Sequence, residues 1–126
     1  MKSVIVSACI AVLIVASSIA CELHINTVSQ KLLSINERVT QAVEDENYES
    51  AVYILNEISD YVNKKEDILS VTDNHEVVHN IEVNTWELYE FIEGGQKTDA
   101  LSKCRVLSFL FEQLPENYKI KWNNIL

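Results

Sequence analysis

The chain has 126 residues, a formal net charge of −9, two glycines and one proline. This length accommodates one domain, and the shortage of turn residues excludes an all-β fold, which needs a turn roughly every 8 to 12 residues. Residues 22–126 carry 19 acidic and 9 basic side chains. Because that charge repels phosphate groups, we expect no nucleic-acid partner.

The N-terminal segment has the composition of a membrane anchor. Between Lys2 and Glu22 lie 19 residues without a charge, which as a helix would extend about 28 Å, close to the hydrocarbon thickness of a bilayer. The run ends in small residues, Ser18 and Ala20, directly before Cys21. Three fates are therefore open: a retained transmembrane helix, a cleaved signal peptide, or a lipoprotein with its lipid on Cys21.

Of these fates we expect the retained anchor, over residues 1–22, because the run is longer than the apolar core of a signal peptide. Lys2 precedes the run, and no lysine or arginine follows it before Lys31. The positive-inside rule then predicts a cytoplasmic N-terminus and an extracytoplasmic domain over residues 23–126. We therefore predict a single-pass protein of the cell membrane.

Two apolar stripes follow the charge-free run and predict a helical hairpin. In the first stripe, residues recur at spacings of three and four, which is typical of a helix with one buried face: Ile25, Val28, Leu32, Ile35, Val39 and Ala42. The polar residues from Glu44 to Asn47 predict its end. The second stripe predicts a helix of about 20 residues through Ala51, Leu55, Ile58, Val62 and Leu69.

A second hairpin is predicted in the C-terminal half. Asp73-Asn74 offers an N-cap for a third helix, and Gly94-Gly95 marks its end. Thr98 or Asp99 offers a cap for a fourth helix, which we expect to end at Leu114-Pro115, before a short helix or amphipathic tail over residues 116–126. The two predicted helices carry these apolar residues: Val77, Ile81, Leu88 and Phe91, then Ala100, Leu101, Cys104, Leu107 and Phe111.

The two hairpins resemble each other at an offset of 49 residues. This offset places the polar turn at Asn47 on Gln96, and Ala51 on Ala100, where a small residue allows two helices to approach closely. We therefore predict an all-α fold, in which an N-terminal transmembrane helix continues into a four-helix antiparallel bundle of tetratricopeptide-like hairpins.

Cys104 and most of the aromatic residues are assigned to the core, whereas Cys9 lies inside the charge-free run and Cys21 at its end. Cys104 is expected to be a small core residue. We also expect most aromatic residues of the third helix and the C-terminal region to be buried: Trp86, Tyr89, Phe91, Phe109, Phe111 and Tyr118. The apolar cluster around Trp122 either closes the base of the bundle or remains available to a partner or the membrane interface.

Residues 75–79 match the zinc-protease signature H-E-x-x-H. On a helix this spacing places His75 and His79 one turn apart, with Glu76 beside them to activate a metal-bound water. The extended form with a third histidine is absent, and no strand is predicted to hold a peptide substrate. We therefore expect no metal here and name His75 and His79 only as the candidate ligands.

Several stretches resemble a family of small bacterial proteins with one N-terminal span and a helical exterior domain, catalogued as domain of unknown function 4363. The similarity is strongest over Leu107 to Tyr118 and at Asn124-Ile125-Leu126, and weaker at residues 73–76 and 80–82. The resemblance implies a retained span and assigns no catalytic residue. In that family an acidic or amide residue is more usual at position 79, so the zinc motif is peculiar to this sequence.

The sequence favours a non-enzymatic accessory or scaffold protein that engages another envelope or membrane protein. Its partner surface would be the acidic helical face or the Trp122 end. The alternative is a zinc-binding module or metal-dependent hydrolase using His75, Glu76 and His79. We expect no cofactor and no small-molecule substrate, because the chain has neither a Gly-rich phosphate loop nor a G-x-S-x-G elbow.

Overall fold

A computed structural model describes residues 1–69 and 75–117, and its regular structure is entirely helical over those ranges. Four long helices and two single turns follow in chain order: α1 (Lys2–Glu44), α2 (Tyr48–Lys64), α3 (Glu66–Leu69), α4 (His75–Glu93), α5 (Lys97–Glu112) and α6 (Leu114–Asn117). The predicted all-α fold with four long helices is therefore confirmed.

Helix α1 joins the charge-free run and the first bundle helix without a break. It has 43 residues, lacks glycine and proline, and extends about 65 Å at 1.5 Å per residue. Its N-terminal part is exposed, whereas burial begins at Ile25. By length and composition α1 can cross a membrane, with a mean hydropathy of 2.7 in its most apolar window. A signal sequence meets the same criterion.

The four long helices pack in a ring in the order α1, α2, α4, α5, in which each helix contacts two neighbours, and the turn α6 packs on α1. The apolar stripes predicted for α1 and α2 all lie in the core between these helices. In α4, Ile81 and Leu88 are buried as predicted, whereas at the two ends of the stripe Val78 and Ile92 are buried and the predicted Val77 and Phe91 are half-buried. The largest fully buried side chains include Leu32, Leu55, Ile58, Leu69, Ile81, Leu88, Leu107, Phe111 and Leu114.

Three of the predicted helix boundaries differ from the structure, beginning with the end of α2 and the start of α5. Helix α2 ends at Lys64, because the backbone leaves helical geometry at Lys65 (φ −100°, ψ 6°). The separate turn α3 follows and carries Leu69, which is buried in the core. Helix α5 is not capped by Thr98 or Asp99, which lie in its first turn. Its N-cap is Gln96, whose carbonyl accepts a hydrogen bond from the amide of Ala100.

The end of α5 also differs from the prediction. The helix ends at Glu112, and Leu114-Pro115 opens the turn α6, where a proline is tolerated because the first amides of a helix have no intrahelical partner. Other predictions fall on residues that the structure does not describe. These are the cap at Asp73-Asn74, the tail over residues 118–126, and the cluster around Trp122.

The turn between α1 and α2 is repeated almost unchanged between α4 and α5. The amide of Asn47 donates to the carbonyl of Ala42, and at an offset of 49 residues the amide of Gln96 donates to that of Phe91, both at 2.9 Å. The φ angles of the two caps are both −89°. The residue before each cap has a positive φ, 57° at Glu46 and 65° at Gly95. The 49-residue correspondence therefore extends to the backbone of the turns.

This repeated turn predicts that glycine is the better residue at position 46. Glu46→Gly is expected to stabilise the bundle by about 0.5 to 1 kcal/mol, because a left-handed conformation costs a residue with a Cβ atom roughly 1–2 kcal/mol. The exposed ion pair between Glu46 and Lys97 (3.3 Å) offsets little of this gain. Thermal unfolding of the full chain in a mild detergent, followed by circular dichroism, measures the change.

Asp45→Gly is the matched control. Asp45 has a φ of −78°, so glycine relieves no strain there; it increases the entropy of the unfolded chain and removes an exposed hydrogen bond from Gln41. The control should unfold at a lower temperature than the wild type. Equal shifts for Asp45→Gly and Glu46→Gly would contradict the strain argument.

Candidate functional site

The H-E-x-x-H motif lies in the first turns of α4. Glu76 and His79 are exposed there, and the side chain of His75 is outside the described part of the structure. Among the described side chains, no three of His, Cys, Asp or Glu come together in a way that could hold a metal ion. Because the side chain of His75 is not described, the expectation that no metal binds at this motif stays a prediction, and so does the zinc-binding alternative.

Cys104 lies in α5 and is buried, as predicted. Burial raises the pKa of its thiol above the ordinary value; a side-chain hydrogen bond with Thr40 acts in the opposite direction, and the charge of Glu44 adds to the rise. A thiol with a raised pKa has little of the thiolate form that attacks substrates or binds metals. Cys104 therefore acts as a core residue.

The interface between α1 and α5 is closed by buried hydrogen bonds across the two helices. Ser29 Oγ donates to the carbonyl of Phe111 at 2.6 Å. Asn36 Nδ2 donates to the carbonyl of Cys104 at 2.9 Å and to Ser108 Oγ at 2.8 Å. Both Ser29 and Asn36 are almost fully buried. These polar contacts were not predicted from the sequence.

The interface between α2 and α4 is the counterpart of this one at the 49-residue offset, but it is open. Thr85, the counterpart of Asn36, is buried and donates to the carbonyl of Ile81 in its own helix instead of reaching across. Val62 stands where α5 has the larger Phe111. Helices α2 and α4 consequently touch less than the other neighbouring pairs of the ring.

A groove lies along this open interface. Its main depression has a volume of about 590 Å³, within the range typical of ligand-binding clefts. A smaller depression of about 320 Å³ also lies between α2 and the end of α4 and shares the lining residue Val52; we call the two depressions together the α2–α4 groove. It is lined by Tyr48, Glu49, Val52, Leu55, Asn56, Ser59, Val62, Asn63, Ile81, Glu82, Thr85, Trp86, Tyr89, Ile92, Glu93 and Gly95.

An exposed aromatic residue, Trp86, lies in the α2–α4 groove. Trp86 is 64% exposed and stacks on Tyr89, with ring centroids 5.9 Å apart and an interplanar angle of 28°. The prediction that Trp86 belongs to the core was therefore wrong. The predicted burial of Phe109 on α5 was also wrong, because Phe109 is 59% exposed.

The groove is acidic, and two basic residues of the bundle pair with carboxylates outside its lining. Arg38 pairs with Glu57 at 2.9 Å, and Lys103 on α5 pairs with Glu87 at 2.7 Å. Three carboxylates, those of Glu49, Glu82 and Glu93, line the groove, and the described lining contains no lysine or arginine. The groove therefore combines aromatic surface with net negative charge.

Comparison with known proteins identifies the family of the chain. The family model described as Domain of unknown function (DUF4363) matches residues 20–125, which include the whole bundle and leave out most of the charge-free run. No curated protein and no solved structure matches the chain. Because the match covers well over half of the sequence, and agrees with the resemblance noted over residues 107–118, the chain belongs to the DUF4363 family.

Proposed function

We propose that the chain is a membrane-anchored helical accessory protein, without enzymatic activity, that binds another envelope or membrane protein through the α2–α4 groove. The observation that carries the proposal is the position of Trp86, an aromatic residue that is 64% exposed in a groove of about 590 Å³. Tryptophan is strongly enriched among the residues that dominate binding energy in protein interfaces.

The anchor of this proposal is the exposed apolar part of α1, retained as a single span. The arrangement of Lys2 and Lys31 around the charge-free run supports a cytoplasmic N-terminus and an extracytoplasmic bundle. Because α1 is one continuous helix, a retained span would fix the bundle directly above the membrane surface.

The intact mass of the protein purified from membranes tests the anchor. A retained span gives the full mass of 14.4 kDa. Cleavage as a signal peptide would remove the charge-free run and release the domain from the membrane. A lipoprotein would show a mass increase that maps to Cys21 after digestion. We expect the full mass, and either of the other two results would replace the transmembrane anchor.

Co-purification from detergent-solubilised membranes tests the binding role. We expect the wild-type full chain to elute together with a second protein in fixed ratio, and Trp86→Ala to weaken this association at least tenfold, since truncating such an aromatic residue typically costs about 2 kcal/mol or more. Phe109→Ala is the matched control, because Phe109 has a similar exposure but lies on α5, outside the groove.

Two results would count against the binding role. One is a wild-type chain that elutes alone with a monomeric mass. The other is an equal loss of the partner in Trp86→Ala and Phe109→Ala, which would show that the α2–α4 groove has no special part in the association.

A further inference from the structure

Resting on the proposed function, we propose that the partner of the α2–α4 groove is an amphipathic helix that carries lysine or arginine beside its apolar stripe, contributed by another protein. Helices that lie in grooves present apolar anchors at helical spacing, and the walls of the groove select the flanking charges.

The dimensions of the groove match a helix. Its lining on α2 runs from Tyr48 to Asn63, which is about 22 Å along the helix axis and equals the length of a helix of roughly 15 residues. Apolar side chains, among them Leu55, Ile81 and Ile92, line the groove along this length. The groove therefore matches the length of about four turns of a helix lying along it.

The closed interface on the opposite side of the bundle shows what the groove lacks. There, Asn36 reaches across to Ser108, and Phe111 fills the space between α1 and α5. The groove has the shorter Thr85 and the smaller Val62 at the equivalent positions. Side chains from a partner helix would supply the missing volume, with Trp86 covering it from the rim.

The charge of the groove selects a basic partner. Glu49 and Glu93 lie together in its smaller depression, and Glu82 lies in the main one. Lysine or arginine beside the apolar stripe of a helix would face these carboxylates, and complementary charge steers association and suppresses wrong partners.

Two other occupants are disfavoured. A second copy of the chain presenting the same face would bring two sets of these three carboxylates into one interface, and like charges in an interface are repulsive. The described part of the chain ends at Asn117 in α6, which packs on α1 and α5, across the bundle from the groove. This separation and the charge of the groove favour an occupant from another protein.

Site-specific photo-crosslinking in the membranes of cells that make the full chain tests this inference. A photoreactive amino acid at position 56, which is exposed in the groove, is compared with one at position 109 on α5. We expect position 56 to crosslink to another protein, at a peptide with apolar residues at spacings of three and four and with flanking lysine or arginine. Glu82→Lys should reduce this crosslink at least tenfold, whereas Glu112→Lys on α5, with the same total charge, should leave it unchanged.

The remaining outcomes separate this inference from the proposed function. A crosslink from position 56 to a second copy of the chain or to its own C-terminal residues would overturn the inference. So would a partner peptide that is acidic or not amphipathic, or equal effects of the two charge reversals, although a protein-binding role would stand. A crosslink from position 109 alone would place the binding site on α5 instead of in the groove and would overturn the inference. No protein crosslink from either position would overturn the inference and count against the proposed function.

Discussion

Phe111→Ala is expected to destabilise the bundle by about 3 to 5 kcal/mol, the cost of emptying a buried aromatic site. Phe111 is fully buried, and its carbonyl accepts the hydrogen bond from Ser29 that joins α5 to α1. For a domain of this size the loss corresponds to a decrease in melting temperature of about 12 °C or more. Thermal unfolding of the full chain in a mild detergent, followed by circular dichroism, measures it.

The same helix provides the control. Phe109→Ala removes the same side chain from a position that is 59% exposed, so the free energy of unfolding should change by no more than about 0.5 kcal/mol. If the two variants melted at similar temperatures, the assignment of Phe111 to the core and Phe109 to the surface would be incorrect. The pair is informative because the two residues lie only two positions apart in sequence.

Asn36→Asp is expected to destabilise the bundle by about 3 to 5 kcal/mol, because it places an uncompensated charge in the core. Asn36 is 0% exposed and donates to the carbonyl of Cys104 and to Ser108 Oγ. Aspartate cannot donate to the carbonyl, which would then face a carboxylate oxygen. Only the Ser108 hydroxyl could turn to donate to the new charge. Chemical denaturation of the full chain in a mild detergent gives the difference in the free energy of unfolding.

Asn80→Asp makes the same chemical change on the exposed surface of α4. There, water solvates the carboxylate, so the expected change is within about 0.5 kcal/mol. A large effect at both positions would indicate that added negative charge, rather than burial, destabilises this acidic protein. A small effect at both would argue against the buried hydrogen bonds between α1 and α5.

The elements that were predicted correctly depend on local sequence. The end of α1 near Glu44 follows from the polar residues there, and the end of α4 follows from Gly95, which takes the left-handed conformation that glycine allows. The buried stripes of α1 and α2 follow from helical periodicity. Because each signal lies within a few residues, no knowledge of the partner helices was needed.

The residues whose burial or exposure was not predicted are those whose surroundings depend on the distance between two helices. Asn36 and Thr85 occur at the same spacings of three and four as the apolar residues around them, so a polar residue in phase with the stripe was the available signal. The exposure of Trp86 had no comparable signal, because an aromatic residue at the edge of an apolar face is buried only if the neighbouring helix is close. The spacing of α2 and α4 is a tertiary property that periodicity along one helix does not report.

Because α1 is continuous from the charge-free run to the bundle, a tilt of the run also moves the bundle. Asn36 lies 15 residues beyond Cys21, the last residue of the run, which is about 22 Å along the helix axis. If the run is retained as a span, a tilt of about 20°, an average value for spanning helices, displaces the bundle at the level of Asn36 sideways by about 8 Å. Bilayer thickness, one of the factors that influence tilt, would then also influence the lateral position of the bundle.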